Sequence, residues 1–195
     1  MRGAEHELIL FDATGQRKYL CEQERRRFLW ASLQADLRTR LFCQLLAYTG
    51  CRISEGLELI PSRLDINTGK VVFRTLKRRR TIHRAVPVPL NLIRELALYA
   101  HALSPEDRLW SWCRQTAWRR VKDVMDAAGI AGPQASPKGL RHGFGIASAE
   151  KNVPPNLTRK WLGHSRLETT MIYQDAVGQE ERRFAKRLWQ DYARP

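Results

Sequence analysis

Acidic residues are scarce in this sequence: 20 Asp and Glu stand against 34 Lys and Arg, a formal net charge of +14. An imbalance of that size attracts polyanions, of which nucleic acid is the commonest, although charge alone does not separate DNA from RNA or an anionic membrane surface. Long apolar runs are missing too. Nothing approaches the roughly 20 consecutive apolar residues that span a bilayer, and the first residues, MRGAEHELILFD, lack the basic start and long apolar stretch of a signal peptide. The expectation is a soluble cytoplasmic protein, nucleoid-associated in a prokaryote, with no membrane partner. Cysteine is sparse: the four, Cys21, Cys43, Cys51 and Cys113, form no CxxC pair, which argues against structural zinc and a disulfide framework. Cys43, inside LFCQLLAY, reads as a small core residue. There is no GxxxxGK[ST] loop, no HExxH and no close Asp/Glu cluster for a two-metal nuclease site. Neither a cofactor nor a metal is expected, and any chemistry on phosphodiesters falls to side-chain cations.

What is present is enough for one domain and an arm. The chain has 195 residues, 43% of them hydrophobic, which suits a folded core. Residues 1–18 read as an N-terminal arm or hairpin, with an apolar run at 8–11 and a turn at 12–15. From 22 to 48 the pattern is helical, with Phe28, Leu29, Leu33 and Leu37, then Leu41, Leu45 and Tyr48, at helical spacing, and Gly50 is a natural stop. A short helix over 53–59 ends at Pro61. The period then changes. The runs at 71–75 and 86–88 flank TLKRRRTIHR, which predicts a β-hairpin with a basic tip. Helices follow at 90–103, 116–128, 139–151, 157–162 and 166–173, and a final amphipathic helix at 179–192. Trp118, Val121, Met125 and Ala128 share one face of their helix, and the six Trp are read mostly as core or helix-packing residues, with no base-stacking role assigned by default. The fold class is thus mainly α with a small antiparallel β-sheet.

Four segments offer cations or nucleophiles. Arg52 follows a Gly turn at a helix start, with Glu55 three residues on; alone, that pair is most simply a surface salt bridge. Lys77 sits in the basic hairpin with Arg78, Arg79 and Arg80, candidate DNA contacts together with Arg119 and Arg120, and its plainest reading is one more solvated lysine. Lys138 and Arg141 share a helical face in PKGLRHGFG, where the small Gly143 permits close approach. His164 follows Gly163, and Tyr173 ends TTMIY; singly, a His there is a turn residue and the Tyr a core residue.

The order Arg, Lys, (Lys/His)-x-x-Arg, Gly-His, Tyr is not independent. TGCRISEG, the hairpin Lys before RAVPVP, GLRHGFG, WLGHS and TTMIY together resemble the tyrosine recombinase, or phage integrase, family from about Tyr19 onward. The tail AVGQEERRFAKRLW resembles integrases of plasmids and integrative elements. The resemblance implies a catalytic domain over 19–195 that cuts and rejoins DNA through a 3′-phosphotyrosyl intermediate. Tyr173 would be the nucleophile, with Arg52, Lys77, Lys138, Arg141 and His164 completing the site and Glu55 supporting it. Double-stranded DNA is the implied partner, with self-association into a dimer or tetramer at synapsis.

Two departures from the family pattern matter. The family usually has His where this chain has Lys138, and a lysine, ordinarily protonated at neutral pH, is a poor proton acceptor; Lys138 is read as a phosphate-binding or proton-shuttling variant. Members usually also carry an N-terminal helical DNA-binding domain, whereas 18 residues precede the catalytic pattern here. No separate domain of that kind is expected in this sequence, and an accessory DNA-binding protein is a candidate partner. Two rival readings stand beside the recombinase: a DNA-binding protein that kept the fold without the chemistry, and a topoisomerase-like relaxing enzyme.

Overall fold

The computed structural model describes residues 10–77 and 80–174, together with Lys186 and Trp189, and leaves aside the side chains of 76–81. Helix α1 (Glu22–Ser32) opens where the Glu24 carboxylate accepts the Cys21 amide at 3.0 Å. Helix α2 (Leu37–Thr49) opens at Asp36, whose carboxylate accepts the Thr39 amide at 3.1 Å and its hydroxyl at 2.7 Å. The single helical pattern expected over 22–48 is therefore two helices. A capped restart satisfies the first-turn amides of α2 and changes the phase of the apolar stripe, which leaves Leu33 and Leu37 exposed rather than in the core.

After α3 (Ile53–Leu57) and a 3-10 turn at Pro61–Arg63 comes an antiparallel sheet of β1 (Leu64–Asp65), β2 (Lys70–Lys77) and β3 (Arg80–Pro87), in that spatial order. The β2–β3 register runs from Lys70 opposite Pro87 to Lys77 opposite Arg80, so the basic segment is itself strand almost to its end. Arg78 and Arg79 lie outside the described residues. The remaining helices are α4 (Leu90–Ala100), α5 (Arg114–Ala127), α6 (Pro137–Glu150), α7 (Pro155–Leu162) and α8 (Glu168–Met171). The mainly helical fold with a small antiparallel sheet matches the expected class. The expected final helix at 179–192 lies outside the described residues except Lys186 and Trp189, both helical.

The main core surrounds α2, which packs against α1, α3, α4, α5 and α6 and buries Leu41, Phe42, Cys43, Leu45 and Leu46 completely. Trp110 is sealed beside Phe42 with ring centroids 5.0 Å apart, and its indole N–H donates to the Arg38 carbonyl at 3.0 Å. Of the other tryptophans, Trp112 and Trp161 pack partly buried against the core, whereas Trp30, Trp118 and Trp189 are exposed, at 71, 45 and 53%, so the assignment to packing holds for three of the six. A second, smaller cluster joins Leu10 and Tyr19 to Ile146, Ala149, Leu162 and Tyr173. Its N-terminal members flank a tight hairpin in which Phe11 bridges Arg17 and the Asp12 carboxylate accepts the Thr14 and Gln16 amides. Arg17 clamps Glu24 with both guanidinium ends, and Glu24 also accepts from the Gln134 side chain, which ties the hairpin to the loop before α6.

Gly50 is the joint between the core and the segment that carries Arg52. Its φ is +60°, and an added Cβ would lie 2.8 Å from both Leu162 Cδ2 and Phe144 Cδ1. Gly129 has nearly the same φ, +63°, but its added Cβ would meet only the end of Arg27 at 3.6 Å. Gly129→Ala is expected to cost about 1–2 kcal/mol, the strain of the left-handed backbone alone. Gly50→Ala should cost more by a further ~1–3 kcal/mol of overpacking. Urea unfolding of the two variants side by side measures the difference.

Candidate active site

The residues between α3 and α8 surround a cleft of about 490 Å³. Its walls include Arg52, Arg114, Lys138, Arg141, His142, His164 and Tyr173, and no Asp or Glu is among the described residues that line it. Four cations in a lining without a carboxylate make a receptor for an anion, although Arg52 also reaches Glu55 behind the wall at 3.1 Å. The N-terminal turn of α6 adds to this, since Ser136, Pro137 and Lys138 line the same space and the positive end of a 14-residue helix opens onto it.

Each group is fixed by a distinct local device. Arg52 is the N-cap of α3, where the Glu55 carboxylate accepts its amide at 2.8 Å and its guanidinium at 3.1 Å. Arg141, on α6, donates to the Gly50 carbonyl and to the Leu162 carbonyl, both at 2.8 Å, so that one fork bridges the turn before α3 and the end of α7. Burial lowers the Arg141 pKa to about 10, and repulsion from Arg52 acts in the same direction. Such a cation, solvated by carbonyls alone, is better stabilised by a ligand's negative charge than by what the protein gives it. His164 follows Gly163, the left-handed end of α7; its Nδ1 lies 2.9 Å from the Thr170 hydroxyl and its ring stacks on Tyr173 at 6.1 Å.

Tyr173 itself is only 1% exposed. Its ring lies over Gly145, where an added Cβ would come within 2.5 Å, and its hydroxyl is 3.2 Å from His142 Nδ1. Burial raises its pKa against the opposing pull of Arg141 and Arg52, which keeps the phenol protonated. Tyr173 is thus a core residue, as its position alone suggested, whose ring closes the small cluster while the residue also lines the cleft.

Beneath Arg52 lies a buried ion pair that the sequence analysis did not anticipate. Arg84 on β3 meets Glu55 with two parallel bonds of 3.0 and 2.7 Å, donates through Nε to the Trp161 carbonyl at 2.8 Å, and lies over the Phe73 ring. The Thr75 hydroxyl on β2 also donates to Glu55, at 2.9 Å. Glu55 is thus no surface partner of Arg52 but the centre of a knot joining α3, β2, β3 and α7. A signal was available: Ile82, Arg84 and Val86 share one face of β3, and a cation between two apolar positions of an alternating strand is out of place unless paired.

His142, Arg114 and Trp118 were also missed. His142 is four residues after Lys138 on α6 and so falls on the Lys138 side of the helix, a spacing readable in GLRHGFG. Arg114 and Trp118 present the N-terminal part of α5 to the cleft, whereas the expected contacts Arg119 and Arg120 are exposed outside its lining and Arg120 faces Asp36 at 4.0 Å. Gly143 does permit a close approach, but of the Leu20 carbonyl, 2.7 Å from an added Cβ, and not of a ligand. Lys77 ends β2; its side chain, like that of Arg80, lies outside the described residues.

The model of the phage integrase family matches residues 18–180. The chain belongs to that family. The tyrosine recombinase XerA of Thermococcus kodakarensis is 31% identical over 166 residues, 80% of this chain and 57% of the relative. Among solved structures, an XerA recombinase superposes with a TM-score of 0.72 at 24% identity, over 91% of this chain and 65% of that one. The XerH site-specific recombinase, in a post-cleavage complex with its palindromic difH substrate, superposes with a TM-score of 0.76 at 23% identity, over 89% and 53%. This integrase-family chain thus spans little more than half the length of the XerA relative.

The Glu55 knot makes a measurable prediction. Burial alone would raise the Glu55 pKa, but the paired bonds and charge of Arg84, with help from Arg52, bring it down to about 2 from an ordinary 4.5. A folded-state pKa depressed in this way supplies stability above pH ~4.5 that is lost as the pH falls toward 2, about 3 kcal/mol in all. In urea unfolding across pH 7 to 2, Glu55→Gln is expected to be less stable than the parent at neutral pH and to lose less between pH 5 and 2. A residual acid sensitivity should remain from Glu24, whose pKa is also lowered to about 2.

Proposed function

We propose that this chain is the catalytic part of a site-specific DNA recombinase that works through a phosphotyrosyl intermediate. The observation that carries the reading is the pairing of a tyrosine hydroxyl with two held arginines in a cleft lined by cations. The names of the family and of its XerA relative support it.

A phosphodiester fits this cleft by charge. Arg52 and Arg141 meet its non-bridging oxygens with planar forks, and the build-up of charge in the transition state strengthens both contacts. His164, fixed by Thr170 and Tyr173, adds to the same oxygens. The Tyr173 oxygen then forms a bond to phosphorus as the bond to the 5′-oxygen breaks. The phenol gives up its proton to water in the cleft, with Lys138 as the shuttle, and the departing 5′-oxygen gains one from Lys77 at the end of β2. The phosphate stays esterified to the protein, so rejoining is the same exchange in reverse and consumes neither ATP nor a metal ion. Lys138, at the positive end of α6, serves as a phosphate contact or proton shuttle.

Residues 19–195 constitute the catalytic unit in this reading, with 1–18 as an arm and 179–192 as a helix for docking onto a neighbouring copy. Exchange between two duplexes needs at least two copies on DNA, and an accessory DNA-binding protein would supply sequence selectivity that phosphate contacts lack. Action on chromosomal or element DNA places the protein in the cytoplasm. No helix among the described residues is long and apolar enough to cross a membrane.

A suicide duplex that traps the covalent adduct tests the reading. The parental chain is expected to form the adduct and Tyr173→Phe to form none while still binding DNA; an adduct from the Phe variant would overturn the assignment. Arg52→Ala and Arg141→Ala should each slow adduct formation ~10²–10³-fold. Lys77→Ala should be slow on an ordinary substrate but largely restored on one whose 5′-bridging oxygen is replaced by sulfur, which leaves without a proton donor. Equal defects on both substrates would remove Lys77 as the acid.

A further inference from the structure

Apart from Lys138 in its role as shuttle, the groups so far assigned to the reaction act on the phosphate or on the leaving oxygen. None orients the nucleophile's own proton. The chain has Lys138 at the position where its family usually offers a histidine, yet an imidazole is beside Tyr173 all the same. His142 is 4% exposed, on the same helix as Lys138 and Arg141, with Nδ1 3.2 Å from the Tyr173 hydroxyl and the ring centroids 6.0 Å apart. Nothing in the mechanism above uses it.

We infer that His142 is a positioning residue for the nucleophile: its unprotonated Nδ1 accepts the hydrogen bond of the Tyr173 hydroxyl and turns the oxygen's lone pairs toward the phosphate site. The inference rests on the proposed function for its catalytic consequence.

Two arguments fix the direction of that hydrogen bond. The first is the charge around the imidazole. Burial opposes its protonation most, and Lys138, Arg141 and Lys18 oppose it further as cations, so its pKa falls to about 3. The ring is neutral, with one nitrogen protonated and the other an acceptor. The second is the charge around the phenol. Arg141 and Arg52 act on the Tyr173 oxygen from the cleft. A hydroxyl beside cations turns its lone pairs toward them and its hydrogen toward an acceptor, and the acceptor within reach is His142 Nδ1 at 3.2 Å. The Nε2–H tautomer is therefore the favoured one. It leaves a buried Nε2 without a hydrogen-bond partner, a cost that a purely structural histidine would have no reason to carry. Gly145 completes the device, since any side chain there would displace the phenol ring. The oxygen is thus presented with its proton already directed away from the incoming phosphorus, the orientation that in-line attack requires.

The experiment has one arm without DNA and one with it. In the full chain labelled with ring-¹⁵N histidine, the His142 signals are assigned by their loss in His142→Asn. His142 Nδ1 is expected to resonate as an unprotonated nitrogen at pH 7, and Tyr173→Phe should shift that signal. A protonated Nδ1, or an Nδ1 signal indifferent to Tyr173→Phe, overturns the inference whatever the enzyme does. In the second arm, adduct formation on a nicked suicide duplex is timed for two variants. His142→Leu removes the acceptor and should slow adduct formation about 10²-fold with DNA affinity unchanged. His142→Asn places an amide oxygen close to the Nδ1 position and should restore most of the rate. A Leu variant as fast as the parent, or an Asn variant as slow as the Leu variant when both melt like the parent, overturns it. A parental chain that forms no adduct sinks the recombinase reading instead, and the NMR arm still decides the hydrogen bond.

Discussion

The buried pair between Glu55 and Arg84 is the constraint on which the rest of the site depends. Taking two charges out of water is costly, and a buried pair is retained only where the geometry is good and the remaining donors and acceptors are satisfied. Here the carboxylate takes both ends of one guanidinium, a threonine hydroxyl and the Arg52 amide. The guanidinium in turn holds the Trp161 carbonyl. Four chain segments far apart in sequence are brought to one point, and that point sets the base of Arg52 and the end of α7, from which His164 follows.

Arg141 uses the same logic with carbonyls in place of a carboxylate. It bridges the Gly50 and Leu162 carbonyls, so the turn that delivers Arg52 and the helix end that delivers His164 are tied through it as well. The difference in partners is the difference in role. Arg84, neutralised by Glu55, is structural. Arg141 keeps its charge uncompensated beside the cleft, which is the condition for binding an anion strongly where water is excluded.

Much of this was legible in the sequence, for identifiable reasons. The hairpin, the helix ends at Gly50 and Gly163, and the face of Lys138 and Arg141 follow from local rules of period and backbone. The motif order named Arg52, Lys138, Arg141, His164 and Tyr173, all of which line the cleft, and all but Arg141 sit at or beside a helix end. What was not legible depended on long-range contact. The break at Asp36 replaced a plausible continuous stripe because a cap outcompeted the stripe's phase. Trp118 was placed with its helix's apolar face, but period alone does not say which flank of that face meets solvent. Glu55 looked like an i,i+3 surface partner until a strand 29 residues away supplied the second cation, and the close approach that Gly143 permits is made by the Leu20 carbonyl, from another segment.

The small cluster around Tyr173 has a consequence for cooperativity. Six buried residues, two of them from the segment before α1, form a unit separate from the main core. Opening that unit exposes little apolar area compared with global unfolding, so its free energy lies well below that of the whole domain. Tyr173 can leave the wall while α2 stays intact, and amides of α8 should exchange with solvent long before those of α2. Because Leu10 and Tyr19 belong to the same unit, the segment before α1 and Tyr173 share one local equilibrium: whatever pulls on the first biases the second.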